Sequence, residues 1–130
     1  MIKKRILDPR RIRRIDGGFS FIPHRFLTGG FLSALDPHQL LLYFFLVLAG
    51  DRNGLSFYSY DSICNFLKFS LEQYVQARDG LIEKDLLAFD GTIFQVLELP
   101  PVAPESRQKA RSTTTKLDRL IKKTIKEVPA

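Results

Sequence analysis

The stretch SLEQYVQARDGLIEKDLL, residues 70 to 87, decides how the rest of the chain is read. Ser70 followed by Gln73 has the spacing of a capping box, in which a hydroxyl satisfies a free N–H at a helix start and an amide reaches back to the cap. Leu71, Tyr74, Val75, Arg78, Leu81 and Ile82 recur at helical spacing and define one face of the helix. That leaves Glu72, Gln73, Gln76, Asp79, Gly80 and Glu83 outward, a mainly acidic surface.

Upstream, Asp36, Pro37, His38 and Gln39 form the clearest helix start in the chain: an Asp cap, Pro at the first helical position, and Gln three residues after the cap. The body that follows, Leu40 to Leu48, is apolar nearly all round and predicts a central core helix ended by Gly50, Asp51, Asn53 and Gly54. LSFYS, residues 55 to 59, suits one strand. Ser59 caps a second helix, YDSICNFLK, and a tight connection through Phe69 reaches Ser70. Beyond Asp85, LLAFDGTIFQVLEL reads as two strands joined by a tight Asp90–Gly91 hairpin turn, and Pro100 and Pro101 close the domain. Ahead of the core helix, FSFIPHRFLTGGFLSAL is interrupted by Pro23, Gly29 and Gly30 and should pack as short pieces.

The 130 residues, 45% hydrophobic and 12% aromatic, suffice for one small core. The net charge of +6 is unevenly placed: residues 1 to 14 carry +6, residues 15 to 104 carry −5, and residues 105 to 130 carry +5. The expected organisation is a basic arm at 1–15, a folded domain at 16–100, a Pro-containing linker at 101–112 and a basic amphipathic helix at 113–130. In that last segment Leu117, Leu120, Ile121, Thr124, Ile125 and Val128 fall on one face, with Lys122 and Lys123 among the cations beside it. A helix of about 13 residues is marginal alone, so its stripe calls for the domain itself, a second copy or another protein.

The order helix, strand, helix, turn, helix, strand, strand, carried by Leu40 to Val47, Ile63, Leu67, Ser70, Val75, Leu81, Leu86, Phe94 and Val96, resembles the winged helix-turn-helix domain over residues 36 to 99. With FIPHRFL ahead of the first helix and LIEKDLLAF after the turn, it is also similar to small helix-turn-helix proteins of bacteria and phages, including amino-terminal domains of some replication initiators. The fold class implied is mainly α with a small β-hairpin. The family places its third helix in the major groove, which would put Lys68, Ser70, Glu72, Gln73 and Gln76 at DNA. Gln pairs with the N6 and N7 edge of adenine, and an acid accepts from cytosine N4. Two features depart from the family pattern: Asp85 stands where many members have Gly, and the hairpin loop at Asp90, Gly91 and Thr92 has no cation.

Phosphate contact would then fall to Arg10, Arg11, Arg13 and Arg14 in the arm, placed to enter a minor groove, and to Lys122 and Lys123. The same arginines would also serve a merely solubilising end.

Chemistry beyond binding finds little support. His24 and His38 have no Cys or acid at a metal-ligand spacing, and the sequence has neither a Gly-rich phosphate loop nor a nucleophile elbow. No cofactor, no metal and no enzymatic activity are expected. Cys64 sits in an apolar pattern and reads as a small buried hydrophobe. Leu40 to Gly50 is shorter than the about 20 residues needed to span a bilayer, and the basic start has no signal-peptide hydrophobic region, so a cytoplasmic protein without a membrane partner is expected. The expected partner is double-stranded DNA, with a homodimer through the last helix or a larger protein as further partners. The alternative function is a protein-interaction module whose acidic helix faces a larger protein.

Overall fold

The computed structural model describes residues 2–104, so the basic segment at 113–130, with Lys122 and Lys123, lies outside the described residues. Over the described residues the fold is α+β, with four helices and one three-stranded antiparallel sheet. In chain order the elements are α1 (Arg25–Thr28), α2 (Pro37–Ala49), β1 (Leu55–Ser56), α3 (Tyr60–Leu67), α4 (Leu71–Glu83), β2 (Leu87–Phe89) and β3 (Phe94–Val96). Short 3-10 turns stand at Pro9–Arg11 and Leu32–Ala34.

Each long helix starts where a side chain can satisfy its first N–H groups. Asp36 Oδ1 accepts from Gln39 N at 2.8 Å while Gln39 Oε1 accepts from Asp36 N at 3.1 Å. Ser59 Oγ accepts from Ser62 N, and Ser70 repeats the reciprocal box with Gln73. Between α3 and α4 the turn is only Lys68, Phe69 and Ser70. Lys68 closes α3 in the left-handed conformation, at φ 58° and ψ 44°, and Phe69 is buried beneath the turn.

Helix α2 is the core's axis, burying Leu42, Tyr43 and Leu46 against Ile63 of α3, Leu81 of α4, Leu86 and Phe94. Phe26 of α1 stacks on Tyr43 with ring centroids 4.9 Å apart. The apolar face of α4 is narrower than its sequence suggests. Tyr74, Ala77 and Leu81 are buried, whereas Leu71 and Ile82 are 56% and 39% exposed. Gly80 is not outward either: a Cβ there would overlap Nε2 of the buried Gln39, so the missing side chain lets α4 lie close to the start of α2.

The sheet order is β1-β3-β2, with Leu55 opposite Gln95, Ser56 opposite Phe94, and Phe89 opposite Phe94. Two expectations change here. The first strand stops at Ser56, because Tyr58 turns away to pack edge-on against Phe45, 5.2 Å between centroids. The hairpin turn is also longer than a two-residue Asp90–Gly91 connection, spanning Asp90 to Ile93. Asp90 Oδ1 accepts from both Thr92 N and Ile93 N, which favours this wider loop.

At the far end the chain stays on the core through Pro104, beyond the expected close at Pro100. Arg25 Nη2 donates to Leu99 O at 2.9 Å, and Ala103 packs over Gly30. At the start, residues 2 to 19 are all exposed.

Gly54 joins α2 to the sheet. Its φ is +82°, its carbonyl accepts from Val96 N, and a Cβ would sit 2.6 Å from Val96 O. Gly54→Ala should therefore destabilise the domain by about 1–3 kcal/mol, since strained backbone and a rigid carbonyl both oppose it. Urea unfolding of the variant checks this, and a midpoint equal to the parent's would contradict it.

Candidate functional site

Helix α4 and the turn before it bring five of the expected residues together. Lys68 is exposed at the turn, Ser70 is exposed at the cap, and Glu72 and Gln76 are exposed on the outer face. Gln73 is half-buried on the first turn. Their hydrogen bonds restrict what each has left to offer. Ser70 Oγ already accepts from Gln73 N at 3.1 Å, and Gln73 Oε1 accepts from Ser70 N at 2.9 Å. A Gln that grips adenine uses its carbonyl and its amide together, so Gln73 would have to share its oxygen with the cap. Gln76 Nε2 points to Glu72 Oε2 at 3.5 Å, a weak contact that costs little to break.

The exposed ridge of α4 is Glu72, Gln76, Asp79 and Glu83, at i, i+4, i+7 and i+11. Beside this ridge runs a feature that the sequence did not disclose. A groove of about 410 Å³ lies between α4, the hairpin and the loop from β1 to α3. Its walls include Phe57, Tyr60, Leu71, Val75, Arg78 and Phe89. Phe57 and Tyr60 are 68% and 51% exposed, so much of this aromatic surface is open to water. Single-sequence periodicity could not find the groove, because three separate elements build it.

Arg78 is part of the same wall and is not a free cation. Its guanidinium lies 5.4 Å from the Tyr74 ring centroid and 5.5 Å from that of Phe89, and Nη2 is 3.0 Å from Asp79 Oδ1. Burial works against its charge, but bonding to Tyr74 and Asp79 outweighs this and raises its pKa above the ordinary value. Burial raises the Tyr74 phenol in turn.

Other cations of the core are engaged as well. Lys84 Nζ donates to Ala34 O at 2.6 Å and to Gln39 Oε1 at 2.8 Å, and Arg25 binds the backbone at Leu99. In the arm, Arg10, Arg11, Arg13 and Arg14 are exposed. Asp8 caps the Pro9–Arg11 turn by accepting from Arg10 N, and Arg10 Nε lies 3.9 Å from Asp8 Oδ1.

His38 packs edge-on against Phe69 at 5.0 Å, and His24 precedes α1. Cys64 is half-buried with Sγ 3.8 Å from Ser70 O, and burial followed by the Asp61 charge pushes its pKa up, away from a reactive thiolate. Among the described residues no group of three His, Cys, Asp or Glu could hold a metal ion, and no helix is long and apolar enough to cross a membrane.

No family model and no curated protein matches the chain. Two solved structures align with it at low identity. One, "Structure of Rep-DNA complex", is 18% identical and aligns over 75% of this chain and 88% of that one with a TM-score of 0.48. The other, "N-Terminal domain of DNA binding protein", is 16% identical, aligns over 79% of this chain and 96% of that one, and has a TM-score of 0.46.

Two outcomes follow from this geometry. Lys68 holds a left-handed conformation that costs a side-chain-bearing residue about 1 kcal/mol, so Lys68→Gly should raise stability by roughly 0.5–1 kcal/mol. Denaturant unfolding reads the change, and a loss of stability would show that the Lys68 side chain is needed by the fold. The second concerns Asp90, whose carboxylate is held below its ordinary pKa by the backbone N–H groups of Ile93 and Thr92. A depressed folded pKa means that the turn's stabilisation is complete above the unfolded value of about 3.9 and is lost as pH falls through the lower folded value. The Thr92 and Ile93 amide resonances should titrate together, with a midpoint below 3.9; a midpoint at or above it contradicts the bonding described.

Proposed function

We propose that the domain is a winged helix-turn-helix, with α3 and α4 as the helix pair and the β2–β3 hairpin as a short wing, and that it is a DNA-binding protein without enzymatic activity. The observation that carries this reading is the placement of cations. Within the core, Arg25, Arg78 and Lys84 are engaged by other groups of the core, leaving Arg52 and Lys68 exposed, whereas four arginines of the arm cluster, exposed, just ahead of it. Phosphate contact from Lys and Arg supplies most non-specific affinity for a duplex, and an Arg-rich arm beside a docked helix is suited to a minor groove.

In this mechanism the arm and the basic segment at 113–130 grip the backbone while α4 approaches the base edges. Glu72 and Gln76, exposed on the outer ridge, are the side chains available to choose among sequences, through cytosine N4 and adenine N6 and N7. Lys68 stands at the turn, where a phosphate would flank the helix start. The setting would be transcription control, or replication or mobility of a genetic element, in the cytoplasm of a bacterium or of a phage-infected cell.

A second reading has its own supporting observation. The ridge of Glu72, Asp79 and Glu83 beside an open aromatic groove suits a protein surface better than a polyanion, and fits an interaction module.

Binding of the full chain to generic duplex DNA over a salt series separates the two. The logarithm of the affinity should fall steeply with the logarithm of salt, and replacing Arg10, Arg11, Arg13 and Arg14 by Ala should make that slope shallower by roughly three to four units. Negligible affinity at low salt would sink the DNA reading. A sequence preference left intact by Glu72→Gln with Gln76→Ala would remove α4 from the base contacts.

A further inference from the structure

We propose that, in the DNA-free chain, the groove between α4, the hairpin and the β1–α3 loop is the docking site of the chain's own basic segment, residues 113–130. The groove walls present Phe57, Tyr60, Leu71 and Val75, and three of these, Phe57, Tyr60 and Leu71, are more than half exposed. Four residues of the lining have an exposed acid next to them in the chain: Asp61 after Tyr60 on α3, Glu72 after Leu71 and Asp79 after Arg78 on α4, and Asp90 after Phe89 on the hairpin. Arg78 is a cation of the wall, and Asp79 balances it at 3.0 Å. An occupant that fits such a surface has a narrow aliphatic stripe flanked by cations.

Residues 113–130 carry that pattern. Leu117, Leu120, Ile121 and Ile125 recur at helical spacing, and Lys116, Arg119, Lys122, Lys123 and Lys126 surround them. The two charge distributions are opposite, −5 for residues 15 to 104 and +5 for residues 105 to 130. The eight residues from 105 to 112 span up to about 28 Å extended, comparable with the roughly 30 Å width expected of a domain of this size, so they can cross most of one face of it. A tether that short holds the segment at an effective concentration in the millimolar range, which favours the same molecule over a second one.

A competing apolar face exists on α2, where Leu41, Phe44 and Leu48 are 45%, 51% and 58% exposed. That helix carries no Asp or Glu between Pro37 and Ala49, so it offers nothing to the five cations of the segment. The acid-rimmed groove is the better complement on charge, and opposite potentials also fix the orientation of a docked segment.

The chain has no Trp, so a single indole can report the docking. Leu120→Trp in the full-length protein, measured without DNA, should give an emission maximum to the blue of free indole and several-fold less acrylamide quenching than a Ser112→Trp reference. Both should revert in the combined variant Phe57→Ser, Leu71→Ser, which alters only exposed side chains, and should persist in Leu41→Ser, Phe44→Ser. Glu72→Gln with Asp61→Asn should weaken the protection, as should added salt. An indole at position 120 as exposed as that at 112 would overturn the proposal. Protection that disappears on dilution would assign the contact to a second copy, and loss in the α2 variant with retention in the groove variant would assign it to α2; either result overturns docking in the groove of the same molecule. Because no DNA is present, these results stand apart from the salt series, and each reading can fail without the other.

Discussion

The fold depends on how closely α4 can approach the start of α2. Three residues set that distance. Gln39 is buried, and its side-chain oxygen accepts from Asp36 N and from Lys84 Nζ, so one amide both caps α2 and ties down the end of α4. Lys84 also donates to Ala34 O, and charge-assisted bonds of this kind are worth about 1.5–3 kcal/mol each. Gly80 supplies the space that Gln39 fills, at a helix-propensity cost of about 1 kcal/mol relative to Ala. With α2 and α4 fixed, Leu42, Leu46 and Leu81 meet in the core, and Leu86 and Phe94 follow because β2 leaves directly from the end of α4.

That arrangement also decides where charge can be used. Lys84 is committed to the helix junction, Arg25 to the chain after β3, and Arg78 to the stack between Tyr74 and Phe89. What the core shows to solvent from α4 is Glu72, Gln76, Asp79 and Glu83. A domain built this way attracts cations along α4, and beyond the exposed Lys68 and Arg52 any attraction for a polyanion must come from the segments outside it. The core is acidic because it holds ten acids against five cations, and three of those five are committed inside the fold.

The helix starts were legible in the sequence because capping is a local matter: Asp36 with Gln39, Ser59, and Ser70 with Gln73 all act within one turn. The sheet was legible as to order but not extent. Strand length depends on what lies across and above the strand, and Tyr58 is drawn off to Phe45, a residue on another element. The same limit explains Gly80 and Ala77. Periodicity assigned them no buried role, because a Gly has no side chain to count and a small residue gains its place only from the bulk of what packs against it. Gln73 was read twice, as cap and as base contact, and its oxygen is engaged in the cap. The groove had no signature at all, as Phe57, Leu71 and Thr92 converge only once α4 and the hairpin are set.

The start of α4 sharpens what the proposed DNA contact would require. The first turn of a helix carries a partial positive charge, and its free N–H groups are a natural place for a phosphate. Here Ser70 and Gln73 already satisfy part of that need, and Glu72 puts a full negative charge on the same turn. A phosphate arriving there would meet a carboxylate at close range, with Lys68 as the nearest opposing cation of the turn. In the proposed complex the helix end would therefore not draw DNA in, and its contribution would be confined to selection: with a duplex held by the arm, a base that donates to Glu72 would offset part of the repulsion, and one that does not would leave it in place.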